Sequence, residues 1–123
     1  MTAKQVLIIG LEPSLVDFSA IPDMNAEKVR SNLEADRARL ADLGYQAELC
    51  LTDLGETAED MVAARLSAKA FDCVVIGAGI RTIPTHFLLF ERLVNVVHRT
   101  APAAAICFNT RPSDTAEAVR RWA

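Results

Sequence analysis

The sequence predicts one α/β domain, residues 1–123, in which helices cover both faces of a four-stranded parallel sheet. Segments typical of strands alternate with segments typical of helices along the whole chain, which favours parallel pairing through right-handed crossovers. Gln5–Gly10 is a continuous apolar run that ends in glycine, as in a strand buried on both faces, and Phe71–Gly77 is predicted to be a second central strand. The length is the usual size of a single domain.

The first helix is predicted over Asn25–Leu43, where apolar residues recur at helical spacing. Asn25 is suited to cap its start, and Gly44 to end it. The stripe that faces the sheet contains four apolar residues: Val29, Leu33, Leu40 and Leu43.

The remaining elements follow in the same alternation. Gln46–Leu51 alternates between polar and apolar residues, which is typical of a strand at a sheet edge. The other predicted elements are a helix from Thr57 to about Ala70, a helix over Pro84–Arg99, a strand over Ala103–Phe108 and a last helix from Ser113 or Asp114 to Trp122.

The strand order follows from the relative apolarity of the strands. The first and third strands are the most apolar of the early ones, so they should be central and adjacent. With right-handed crossovers this predicts the order 2-1-3-4 in a three-layer α/β/α arrangement.

This pattern of elements resembles a small flavodoxin-like or receiver-like (Rossmann-type) bacterial domain over the whole chain, including short proteins with no assigned function. The resemblance implies an open parallel sheet with a ligand crevice at the strand ends. The signature residues of both families are absent. Glu12 lies near the position of a receiver's paired acids, but Gly77 stands where the receiver aspartate would be, and the loop LEPSLVDFSAIPD is not a Ser/Thr-rich phosphate loop.

Composition narrows the class of protein. The chain is 51% apolar and 24% charged with a net charge of −3, which is typical of a globular protein and indicates neither a nucleic-acid nor a membrane partner. The apolar run before Gly10 is too short for a signal peptide or a membrane span, so the sequence predicts a cytoplasmic protein. The two histidines and scattered acids indicate no metal site, and no cofactor is indicated.

The three cysteines, Cys50, Cys73 and Cys107, all lie in apolar strand segments. Their number is odd and none forms a CxxC pair, so we expect buried free thiols rather than disulfides.

The candidate ligand site lies beyond the carboxyl ends of the first and third strands, where the strand order reverses. Two glycines after the third strand let the backbone approach a ligand, and an arginine there suits a carboxylate or phosphate. This predicts binding of a small anionic or nucleotide-like metabolite by Gly77, Gly79, Arg81, Thr82, Asn109 and Thr110.

Each of these residues also has a purely structural interpretation that involves no ligand. The glycines would also make a tight strand exit, and Arg81 would also pair with Glu12 or Asp17. Asn109 and Thr110 would equally form a turn before the last helix.

A small enzyme using the same crevice is an alternative, with His86 or Glu12 as the proton-transfer group. No nucleophile motif is present, and burial explains Cys107 better than reactivity does. Binding and interaction are favoured over catalysis, because no partnered acid–base set is evident.

The other alternative is a homodimeric interaction module without a ligand. The helix over 84–99 is apolar over more than one face, so either Leu89 or Leu93 should point outward. One face of the sheet also lacks a covering helix unless the terminal helix crosses to it. A two-fold contact through this helix would bury both surfaces.

Overall fold

A computed structural model of the chain describes residues 3–16, 18–19 and 23–123. All strand pairs are parallel, and the order is β2-β1-β3-β4, consistent with a flavodoxin-like fold. The strands are β1 (Lys4–Leu11), β2 (Tyr45–Thr52), β3 (Cys73–Ile76) and β4 (Ala105–Phe108). The predicted α/β class and strand order are therefore confirmed.

Five α-helices are found in the described part of the chain: α1 (Ala26–Asp42), α2 (Ala58–Ala68), α3 (Ala78–Arg81), α4 (Phe87–Thr100) and α5 (Thr115–Trp122). Asn25 caps α1 as predicted, because its side-chain oxygen accepts a hydrogen bond from the backbone N–H of Lys28 at 2.9 Å. Among the described residues no helix is both long and apolar enough to cross a membrane.

The segment between β3 and α4 differs from the prediction. The glycine-rich exit from β3 forms the short helix α3, in which the Gly77 carbonyl accepts from the N–H groups of Ile80 and Arg81. Pro84–His86 is a 3-10 turn, closed by a bond from the His86 N–H to the Ile83 carbonyl at 2.9 Å. Consequently α4 begins at Phe87 and not at Pro84.

The core has two halves because neighbouring residues of a buried strand point to opposite faces of the sheet. On one face Leu7 and Ile9 pack with residues of α2 and α4. On the other face Val6 and Ile8 pack with residues of α1 and α5. Both sets of strand side chains are fully or almost fully buried, which explains the unbroken apolar run in β1.

The terminal helix α5 covers the sheet face for which the sequence predicted a covering helix only if this helix crossed to it. Ala118 and Val119 of α5 are fully buried in the same core half as Cys73, Val75 and Cys107. Both sheet faces are therefore covered within one chain. An uncovered sheet face is thus no longer a reason to expect a dimer.

The expectation that Leu89 or Leu93 points outward is wrong. Leu89 is 5% exposed and Leu93 is 0% exposed, because the stripe they share with Val96 and Val97 packs against the sheet and α2. The large apolar residues of α4 that are exposed are Phe87 and Leu88, at the start of the helix, with exposed fractions of 62% and 59%.

The three cysteines are buried and free, and Cys73 and Cys107 lie on adjacent strands with their sulfur atoms 2.6 Å apart. The hydrogen bond with Cys107, together with burial, raises the pKa of the Cys73 thiol. Burial also raises the pKa of Cys50.

We therefore expect a maleimide to label the native protein slowly and the denatured, unreduced protein at all three cysteines, as counted by intact mass. Rapid native labelling of Cys107 would contradict the buried-thiol assignment. A single label after denaturation would show that Cys73 and Cys107 are joined.

Candidate functional site

A cavity of about 230 Å³ lies at the carboxyl ends of β1 and β3, at the reversal of strand order where the sequence predicts a ligand crevice. Its floor is the end of β1, and one side is the exit from β3. The lining residues from these segments are Ile8, Ile9, Gly10, Leu11, Gly77, Gly79 and Ile83.

The opposite side of the pocket is formed by α1 and by the segment that precedes it. Val29, Leu33 and Asp36 of α1 line it, at a spacing that places all three on one helix face. Val16, Phe18 and Met24 complete the apolar wall. Apart from the backbone, the polar groups among the described lining residues are the side chains of Asp36 and Asn109.

Asp36 is the buried carboxyl of the site, with 9% of its surface exposed. Its Oδ2 accepts from the Thr115 hydroxyl at 2.8 Å, and the Thr115 oxygen accepts from the Asn109 side-chain amide at 2.9 Å. This chain of bonds joins α1 to the start of α5 and to the end of β4. Burial raises the pKa of Asp36 to about 6, although the Thr115 hydrogen bond and nearby Arg39 oppose the rise.

The structure brings three of the six predicted ligand residues into the pocket. Gly77, Gly79 and Asn109 line it, and a Cβ added at Gly79 would meet no atom within 4 Å. Arg81, Thr82 and Thr110 are not among the described lining residues.

Arg81 lies over the ring of Phe108, with its guanidinium carbon 5.5 Å from the ring centre. Its Nε and Nη2 are buried and have no hydrogen-bond partner among the described residues. The alternative partner Glu12 is paired with Arg30, and Asp17 lies outside the described residues. Arg81 is thus held by a cation–π contact rather than by a carboxylate.

Thr110 takes part in the turn before α5. Its backbone N–H donates to Asp114 at 2.9 Å, and its hydroxyl bonds to the same carboxylate. These bonds lower the pKa of Asp114 against the opposing effect of its partial burial. The geometry is that of a side chain capping a turn.

The two candidate proton-transfer residues are separated from the pocket lining. His86 Nδ1 lies 3.1 Å from the carbonyl oxygen of Gly79, within hydrogen-bond distance, so the ring contacts the backbone of α3. Glu12 forms its ion pair with Arg30 on α1. Neither side chain lines the pocket.

Asp36 is the site residue that the sequence analysis missed, although a signal was present. It lies seven residues after Val29, three after Leu33 and four before Leu40, where a sheet-facing helix ordinarily has an apolar residue. A carboxylate inside such a stripe indicates a buried acid, and buried acids with raised pKa values cluster at functional sites.

The arrangement can enclose an apolar group and meet it at one end with a hydrogen-bonding carboxyl. No group of three or more potential metal ligands is found in the described part of the chain. The lining residues that the structure describes include no histidine and no second acid that would complete a catalytic pair with Asp36.

Fold and pocket together define the class: an α/β protein with a flavodoxin-like sheet order and an apolar pocket at the strand ends. No protein-family model matches the chain, and a comparison with curated proteins finds no significant match.

Proposed function

We propose that this protein binds a small molecule in the pocket at the carboxyl ends of β1 and β3. The observation that carries the proposal is that a mainly apolar pocket lies at the point where the strand order reverses. The three buried free thiols support a reducing, cytoplasmic location.

The lining favours a mainly apolar ligand over the anionic or nucleotide-like one that Arg81 suggests. No lysine or arginine is among the described lining residues, whereas the carboxyl of Asp36 is. The volume, about 230 Å³, lies below the range of roughly 300–1,000 Å³ typical of pockets for larger ligands. It exceeds the cavity of about 150 Å³ that holds benzene in an engineered protein, so a substituted benzene is a suitable probe.

Titration of ¹⁵N-labelled protein with benzyl alcohol tests the proposal. We expect saturable shifts at the amides of Gly10, Gly77 and Asn109, with a Kd on the order of a millimolar or below. The variant Gly79→Leu should abolish them, because it adds a bulky side chain at a residue of the pocket lining where a Cβ meets no atom within 4 Å.

Ala64→Leu is the matched control, since it adds a similar side chain at an exposed position of α2 and should leave binding unchanged. Scattered shifts, or shifts that survive Gly79→Leu, would count against the pocket as the binding site.

A homodimer through α4 is the second candidate function. Phe87 and Leu88 are adjacent, large and more than half exposed, which is typical of an interaction surface. Closed dimers are the commonest assembly, and a two-fold contact would bury these residues against their copies.

Leu88→Asp should dissociate such a dimer without unfolding the chain, because Leu88 contributes little to the core. Sedimentation equilibrium should show at least a tenfold weaker association than in wild type. Ser67→Asp, at an exposed position of α2, should have no effect. A wild-type protein that stays monomeric at high micromolar concentration would exclude this candidate.

A further inference from the structure

Asp36 is largely buried, and only one of its two carboxylate oxygens makes a hydrogen bond with a described residue. Its Oδ2 accepts from Thr115, but Oδ1 makes no hydrogen bond with any residue that the structure describes. An ionised carboxylate is an acceptor at both oxygens. Apart from Asn109 and backbone groups, the other described residues of the pocket lining are apolar, so within this pocket a donor for Oδ1 has to come from solvent or from a ligand.

The charges around Asp36 determine which donor is suitable. Asp114 and Glu117 are the acids that face it from the α5 side, and Arg39 is the cation on its own helix. Arg39 is already paired, with its Nη2 2.8 Å from Glu117 Oε1. The local balance is therefore acidic, which repels a ligand carboxylate or phosphate and attracts a cation.

The ionisation state of Asp36 also favours a cationic ligand over an anionic one. Burial raises the pKa of Asp36 to about 6, so the carboxyl is mostly ionised at neutral pH and becomes neutral in mild acid. A protonated nitrogen placed against Oδ1 would form a charge-assisted hydrogen bond, which is stronger than one from a neutral hydroxyl.

We propose that the pocket selects a small molecule with an apolar body and a basic nitrogen, an amine, whose N–H donates to Asp36 Oδ1. This inference rests on the proposed function, because it names the ligand class of the same pocket. Thr115 and Asn109 act as positioning residues that hold the carboxylate through Oδ2.

Three probes of nearly equal size test the inference: benzylamine, benzyl alcohol and benzoate. We expect benzylamine to bind about tenfold more tightly than benzyl alcohol at neutral pH, and benzoate to bind more weakly than either. The affinity for benzylamine should fall as the pH is lowered through about 6, while that for benzyl alcohol changes little.

The variant Asp36→Asn retains the shape of the side chain and should remove the preference for benzylamine over benzyl alcohol, so that the ratio of the two affinities falls from about tenfold to about one. Asp42→Asn, at an exposed position on the same helix, should preserve the preference. Binding of benzyl alcohol as tight as that of benzylamine, or a preference that survives Asp36→Asn, would overturn the inference and leave the proposed function intact. Binding of none of the three probes would overturn the proposed function itself.

Discussion

Asp36→Asn is expected to stabilise the protein at neutral pH by about 2 to 3 kcal/mol, corresponding to a rise of roughly 8–12 °C in Tm. The carboxyl has a pKa of about 6 in the folded protein and an ordinary value of 3.8. Between these values the folded state binds more protons than the unfolded state. The contribution of Asp36 to the free energy of unfolding therefore falls as the pH rises from about 4 to about 6. An asparagine side chain stays neutral across this pH range, so the variant does not undergo this loss of stability. Its amide oxygen can still accept a hydrogen bond from the Thr115 hydroxyl.

Chemical denaturation of wild type and variant from about pH 4.5 to about pH 8 measures the effect. The two proteins should be closest in stability at the acidic end, should diverge as the pH rises to about 6, and should keep a constant difference above it. Asp42→Asn should follow the wild-type curve, since Asp42 is exposed at the end of α1. A variant that is less stable than wild type at neutral pH would show that the carboxylate is stabilising, contrary to its burial in an apolar setting.

Leu93→Ala is expected to lower the free energy of unfolding by about 2 to 5 kcal/mol. Leu93 is fully buried between the sheet and α2, so truncation removes apolar contacts and leaves a cavity. An aspartate at the same position should prevent folding altogether, because an unpaired charge would lie in the core.

Leu88→Ala is the matched control, because Leu88 lies on the same helix but is more than half exposed. Its effect on the free energy of unfolding of the monomer should stay within about 0.5 kcal/mol. Equal losses for the two variants would contradict the observed orientation of α4.

The arrangement of the sheet was predictable because its signals are local. The predicted strands Gln5–Gly10 and Phe71–Gly77 each contain four consecutive buried apolar residues, Val6–Ile9 and Cys73–Ile76, which is typical of strands covered on both faces. Chain connectivity and the handedness of crossovers then leave few possible orders. The short helix α3 escaped prediction because a four-residue helix, closed here by the Gly77 carbonyl, has no periodicity to detect.

The pocket was predictable in position but not in chemistry. Topology placed it at the strand reversal, and Gly77, Gly79 and Asn109 do line it. Arg81 was the most suggestive residue of the crevice, yet its side chain packs over Phe108 from the neighbouring strand. That contact joins residues 27 positions apart, which no local pattern reveals.

The sequence by itself therefore determined the class of fold, the strand order and the edge of the sheet where a pocket forms, because these depend on apolar patterns within single elements. Tertiary structure alone decided that α5 covers the open face, that Leu89 and Leu93 are both buried, and that Asp36 meets Thr115 79 residues away. The physical reason is that burial and hydrogen-bond partners arise from the packing of one element against another. A single element's pattern shows which face is apolar, but not what will cover it.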